Sequence, residues 1–138
     1  MKAAKYPLLG VTLAAMSSCA LHPDLIATHI KEGGEAASVE VTLRSSDAKV
    51  IKDREIYFSI VLVDCENSRR QFPIQPYVAE RPASEFDFSV AGKYVTFHGS
   101  VPQHILANYP RPCVFLRGGS YTLGKIESAS VRLGKSQI

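Results

Sequence analysis

The chain has 138 residues, a length that suits one domain with a modest core. It carries 16 basic and 13 acidic residues, a formal net charge of +3. This small excess is not clustered, so composition excludes the basic patch that nucleic-acid binding requires. No internal repeat or low-complexity segment interrupts the chain.

The first twenty residues have the pattern of an export signal. Lys2 and Lys5 begin it, and the apolar run over residues 6–15 is too short to span a bilayer, which takes about 20 residues. Residues 16–19, Met-Ser-Ser-Cys, resemble the lipobox of bacterial lipoproteins, with methionine where that family usually has leucine. The alternatives are an ordinary secretory signal in which Cys19 is incidental, or an N-terminal helix.

The lipobox resemblance implies that a signal peptide of residues 1–18 is removed and that Cys19 is acylated. Acyl chains, palmitate among them, would hold the protein stably on a membrane. Ala20 stands where an aspartate would retain a lipoprotein in the inner membrane, so the resemblance implies the periplasmic side of the outer membrane. Loss of Lys2 and Lys5 leaves 14 basic against 13 acidic residues, a side-chain charge of +1.

Two further cysteines, Cys65 and Cys113, predict a disulfide, because an even pair in an exported domain is usually oxidised. A bridge closing a loop of about 50 residues would stabilise the fold by up to about 4 kcal/mol. The alternatives are two buried free thiols, or a metal pair that lacks its other ligands.

Strand patterns dominate the rest of the chain. Residues 19–37 are predicted to be the lipidated N-terminus and a tether, with residues 25–31 as a candidate first strand that turns through a Gly-Gly pair. The β-sandwich domain is predicted over residues 38–138. Residues 39–44 alternate apolar and polar, the period of a half-buried strand, whereas residues 56–65 are apolar at both parities and predict a strand covered on both faces.

Later patterns predict two strand pairs. Residues 86–90 and 94–98 alternate on either side of Ala-Gly-Lys and predict a hairpin. Residues 113–117 and 121–133 supply a last pair. The only helical turn is expected over residues 102–107, and residues 47–54 are expected to be a solvated, charged connection.

Seven or eight short strands without crossover helices predict an all-β, antiparallel two-sheet sandwich with one short helical turn and one disulfide joining the two sheets. In architecture the chain resembles immunoglobulin-like or transthyretin-like domains. It departs from true immunoglobulin domains, because it has no tryptophan to pack on the bridge and Arg111 stands where a tyrosine would precede the second cysteine.

Chemical motifs of the common hydrolases, nucleotide-binding proteins and metalloenzymes do not occur in the sequence. The histidines are scattered rather than spaced as ligands: His22, His29, His98 and His104. We therefore expect no catalytic residue, no metal and no cofactor, and we expect a protein that is not an enzyme.

Two proline-rich segments predict a protein-binding surface. Residues 66–84 and 108–112 combine arginine with aromatic side chains, the types that dominate interface energies, and prolines lower the entropic cost of ordering them. The alternative is an edge strand and crossover loop with the aromatics in the core. The predicted partner-binding residues are Arg69, Arg70, Phe72, Tyr77, Arg81, Tyr109 and Arg111.

A small lipid-anchored sandwich without catalytic motifs is expected to act by binding protein. It resembles the immunity lipoproteins paired with type VI phospholipase effectors, which implies an inhibitor that occludes a toxic enzyme in the periplasm. The alternative is a structural lipoprotein of an envelope or secretion complex, such as the transthyretin-like lipoprotein of type VI machines. Lysozyme inhibitors do not match, because their Tyr-Trp-Lys-Gly signature needs a tryptophan.

Overall fold

The computed structural model describes residues 20–120 and 124–135. The predicted signal peptide and Cys19 lie outside the described residues, and so do three residues of the predicted last strand. No helix within the described ranges combines the length and apolar character needed to cross a bilayer.

Two facing β-sheets form the body, which confirms the predicted sandwich. The strands are β1 Ala20–Leu21, β2 Ala27–Gly33, β3 Ala36–Arg44, β4 Tyr57–Asp64, β5 Phe72–Ile74, β6 Tyr77–Val78, β7 Arg81–Pro82, β8 Tyr94–Pro102, β9 Pro112–Gly119, β10 Lys125–Glu127, β11 Val131–Arg132 and β12 Gly134–Lys135. Helix α1 spans Ser45–Asp53, α2 spans Gln103–Leu106, and a 3-10 turn spans Ala83–Glu85.

The first sheet has the order β1-β10-β9-β4-β5, with β11 also on β9, and the second has the order β12-β2-β3-β8-β6-β7. Pairing is antiparallel except for β1 with β10 and β12 with β2, which are parallel. Within the described ranges the chain passes from one sheet to the other five times, after β1, β3, β5, β8 and β11.

Strand β4 lies between β9 and β5 and is buried on both faces, as its double apolar parity predicts. Ile60 and Leu62 belong to the main core between the sheets, while Val61 and Val63 form a second buried cluster with Cys113 on the opposite face. Burial of each such aliphatic side chain contributes about 1.5–3 kcal/mol. The disulfide therefore lies at the end of a strand that is buried on both faces.

The candidate first strand over residues 25–31 forms as β2 at Ala27–Gly33, whereas residues 22–26, between β1 and β2, have no regular secondary structure. β1 pairs with β10, and β2 pairs with β3 over seven residues on each strand. The predicted glycine turn is confirmed, since Gly34 has a φ of +62° between β2 and β3. Burial of Thr28 and Ile30 explains why this segment pairs rather than remaining extended in solvent.

Helix α1 occupies most of the stretch that was expected to be only solvated, and that expectation is wrong. Ala48 and Ile51, three residues apart on one helix face, are fully buried. Asp47 in the first turn and Lys52 in the last turn complement the helix dipole. Lys52 Nζ also donates to the carbonyl oxygen of Phe88 at 2.7 Å.

The predicted hairpin of residues 86–90 with 94–98 does not form. Phe86 has a φ of +55°, which breaks an extended strand. Phe88 instead packs its ring edge-on against Phe97, with the ring centroids 5.4 Å apart. β8 instead pairs with β3 along nine residue pairs and with β6 at Tyr77, and Phe97 in β8 is fully buried.

Candidate protein-binding site at the disulfide

The Cys65–Cys113 disulfide forms as predicted, but it joins neighbouring strands of one sheet rather than the two sheets. Val63 pairs with Cys113, and the backbone N–H of Cys65 donates to the carbonyl oxygen of Arg111 at 2.8 Å. The two cysteine Cα atoms are 5.0 Å apart. The expectation of an inter-sheet bridge fails because β4 and β9 are adjacent, so the cysteines meet without crossing the core.

Asp64 holds together the two loops that leave these strands. One carboxylate oxygen accepts the backbone N–H of Glu66 at 3.0 Å, and the other accepts the backbone N–H of Arg111 at 3.4 Å. The hydrogen bond from Glu66 is the main cause that lowers the pKa of Asp64 below its usual value. The carboxylate thus acts as a charged anchor, as residues at strand ends often do.

Side chains reinforce the same junction. Arg111 forms a salt bridge with Glu66 across the two loops. Asn67 Oδ1 accepts the backbone N–H of Arg69 at 3.1 Å, a local turn that orders the start of the first loop. The two loops are therefore held by one covalent bridge, one ion pair and several hydrogen bonds.

A cleft of about 510 Å³ opens between these loops. It is lined by Asp64, Glu66, Asn67, Arg70, Asn108, Tyr109 and Arg111. We call it the disulfide-end cleft. Two carboxylates, two guanidinium groups and two amides provide hydrogen-bond donors and acceptors of both charge signs, which suits recognition of a charged protein segment.

Three of the seven predicted binding residues line this cleft: Arg70, Tyr109 and Arg111. Arg69 lies next to it and is exposed. Tyr109 differs from the prediction, because its side chain is only 7% exposed and belongs to the main core. Its ring cannot act as an exposed anchor, and it serves as one wall of the cleft instead.

The other predicted residues lie elsewhere, because residues 66–84 cross from the first sheet to the second. Phe72 is half-buried in β5 against the main core. Tyr77, in β6, stacks on His98 with ring centroids 6.1 Å apart, and His98 also hydrogen-bonds to the carbonyl oxygen of Ala79. Arg81 is paired with Asp87. The sequence segment that was predicted to be one surface is therefore divided between two sheet edges.

A second cleft of about 590 Å³ lies on the other side of Tyr109. Ile30, Leu106 and Leu133 give it apolar walls, and Glu32 and Arg132 add charges. Sequence reasoning missed this cleft because β2, α2 and the segment after β10 are brought together only by the fold. The sequence pointed to Asp64 and Glu66 of the disulfide-end cleft, because they flank Cys65. Nothing in the sequence singled out Asn67 or Asn108.

The histidines remain dispersed. His22 hydrogen-bonds to the carbonyl oxygen of Glu127 at 3.1 Å, while His98 contacts Tyr77 on the second sheet. Within the part of the chain that the structure describes, no three histidine, cysteine or acidic side chains are grouped as metal ligands. Comparisons with protein-family models, with curated proteins and with solved structures found no match.

Proposed function

We propose that this chain is a lipid-anchored periplasmic protein that binds and inhibits a toxic effector enzyme, such as a type VI lipase. The observation that supports it best is the disulfide-end cleft, where a covalent bridge and an ion pair hold two arginine-bearing loops. Loops that are ordered before binding lose less entropy on association, which favours tight inhibition.

Charge and exposure at the cleft suit a protein partner. Arg69 and Arg70 are exposed on the first loop, and Arg111 on the second loop lines the same cleft as Arg70. Arginine is enriched among residues that dominate interface energies. A stable inhibitor complex covers about 800 Å² on each partner, so the contact surface would extend from the cleft onto the neighbouring loops.

Rescue from toxicity tests this function. A candidate periplasmic lipase effector is expressed in cells with and without the lipoprotein. We expect survival only with the lipoprotein, and we expect a Cys19→Ala form with an ordinary signal peptide to protect as well, because occlusion needs contact rather than anchoring. Absence of rescue would contradict inhibition and favour the structural role in an envelope complex.

The contact surface is tested with Arg70→Ala and Arg111→Ala in binding calorimetry. If these side chains are interface anchors, each loss weakens binding by about 2 kcal/mol or more, roughly thirtyfold in the dissociation constant. Lys49→Ala is the control, since it removes an exposed positive charge on α1, away from the cleft. Wild-type affinity in both arginine variants would place the contact surface elsewhere.

The anchor is tested separately by labelling cells with a palmitate analogue. We expect label on the wild-type protein and none on Cys19→Ala, because only an acylated cysteine carries these chains. Label that persists on Cys19→Ala would contradict the lipobox interpretation and leave the binding function untouched.

A further inference from the structure

The large apolar side chains that stay exposed in the described ranges lie at one end of the sandwich. Ile26, Tyr57 and Tyr94 are 39%, 47% and 53% exposed. Tyr57 begins β4 and Tyr94 begins β8, and α1 connects the end of β3 to the start of β4. Ile26 donates its backbone N–H to Thr42, near the end of β3. We call this the α1 end.

The start of β1 lies in the same cross-strand row as Tyr57. Ala20 pairs with Lys125, Lys125 with Gly119, and Gly119 with Tyr57. Strands about 4.8 Å apart place the two ends of this row about 14 Å apart. Because β1 begins at the residue that directly follows Cys19, a lipid on that cysteine would draw the α1 end against the headgroups.

Lysines accompany the tyrosines at this end. Exposed Lys93 directly precedes Tyr94, and exposed Lys125 shares the row with Tyr57. Tyrosine suits the membrane interface because its ring is apolar and its hydroxyl is polar, and a lysine stem can lie along apolar surface while its ammonium reaches lipid phosphates. Acidic side chains share this end: Asp24 lies 3.7 Å from Arg44 and Asp53 lies 2.6 Å from Lys49, so both charges are compensated, and exposed Glu55 lies two residues before Tyr57.

We propose that the α1 end docks on the lipid surface of the anchoring membrane, with Tyr57 and Tyr94 at headgroup level. This docking rests on the proposed acylation of Cys19. β8 runs from the α1 end to Pro102 over nine residues, so at about 3.3 Å per step the opposite end stands about 26 Å from the headgroups. The disulfide-end cleft therefore faces the aqueous periplasm.

Tryptophan reporters test the orientation, since the chain contains no tryptophan. Tyr57→Trp and Tyr94→Trp probe the α1 end, and His104→Trp, exposed on α2, is the control at the opposite end. Each acylated protein is purified from membranes and reconstituted into vesicles of phosphatidylethanolamine and phosphatidylglycerol whose acyl chains carry bromine. Circular dichroism confirms that each variant folds.

We expect the brominated chains to quench the reporter at position 94, because an interfacial side chain sits about 5–10 Å into the headgroup and acyl boundary. The reporter at position 104 should keep its fluorescence. If Tyr57→Trp does not fold, the quenching of Tyr94→Trp alone tests the docking. Acylated protein with equal quenching at positions 94 and 104 would overturn the docking alone. Protein without an acyl chain by intact mass would overturn the anchor and the docking together.

Discussion

At the scale of single residues, Asp64 couples the two loops of the disulfide-end cleft through backbone hydrogen bonds. These bonds favour the ionised carboxylate and lower its pKa in the folded protein. The folded pKa lies below the unfolded value of about 3.9, so Asp64 stabilises the fold. This stabilisation is fully present above about pH 3.9 and is lost as the pH falls through the folded pKa.

We therefore expect Asp64→Asn to be less stable than the wild type at pH 7, and we expect this difference to shrink as the pH falls towards about 3, where the unfolded carboxyl is protonated. Urea denaturation at several pH values measures it. Glu80→Gln, an exposed carboxylate in the turn between β6 and β7, is the control and should change little at any pH. A difference that grows on acidification would contradict the anchoring role.

Gly118 is a position where close packing excludes any side chain. A Cβ atom there would lie 1.9 Å from the carbonyl oxygen of Tyr57 and 2.6 Å from the Cα atom of Phe58. Because both neighbours are backbone of β4, Gly118→Ala must push β4 and β9 apart, and we expect a loss of about 1–3 kcal/mol or more.

Gly33→Ala is the matched control for Gly118→Ala, since a Cβ at Gly33 meets nothing within 4 Å. Thermal denaturation of the two variants separates the steric clash at Gly118 from the general effect of replacing a strand glycine, which by itself favours alanine. Equal melting temperatures would mean that the strands adjust to the methyl group, contrary to the expectation.

At the scale of elements, two buried residues hold α1 against the sheets: Ala48 and Ile51. Both are fully buried, although most other residues of the helix are polar. We expect Ile51→Ala to cost about 2–5 kcal/mol because it removes buried methylenes and leaves a cavity.

Lys49→Ala tests the opposite side of the same helix. Lys49 pairs with Asp53 at 2.6 Å, and both side chains are more than half exposed, so the loss should be only about 0.3–0.5 kcal/mol. Chemical denaturation of both helix variants measures the contrast. Similar losses at both positions would indicate that α1 is held by its surface charges rather than by its apolar face.

At the scale of the whole molecule, the disulfide restrains the chain between β4 and β9. Its loop spans a sequence separation of 48, which predicts a stabilisation of about 2–4 kcal/mol. We expect the oxidised protein to contain no alkylatable cysteine among the pair, and we expect reductant to lower the melting temperature. Mass spectrometry after alkylation and a thermal melt measure both. Because the bridge borders the cleft, hydrogen exchange in residues 64–70 and 107–111 should also accelerate on reduction, whereas exchange in β3 should not.

Sequence patterns by themselves determined the architecture and the covalent bridge. Apolar and polar residues alternate in β3 because one face is buried, and β4 is apolar at both parities because both faces are buried. Such patterns are local and can be read from the sequence. The pairing of Cys65 with Cys113 was predicted because assigning Cys19 to the lipid leaves an even pair, and the turn at Gly34 follows from the conformational freedom of glycine.

Only the tertiary structure decided which segments meet. Helix α1 escaped detection because two buried residues among charges form too weak a pattern. Residues 86–90 do not form the predicted hairpin, because Phe86 has a positive φ and the neighbours of β8 are β3 and β6. Residues 66–84 were divided between the sheets, Tyr109 entered the core, and Asp64 joined Arg111 across 47 positions of sequence. These outcomes depend on contacts between distant segments, whose energies no local window of residues contains.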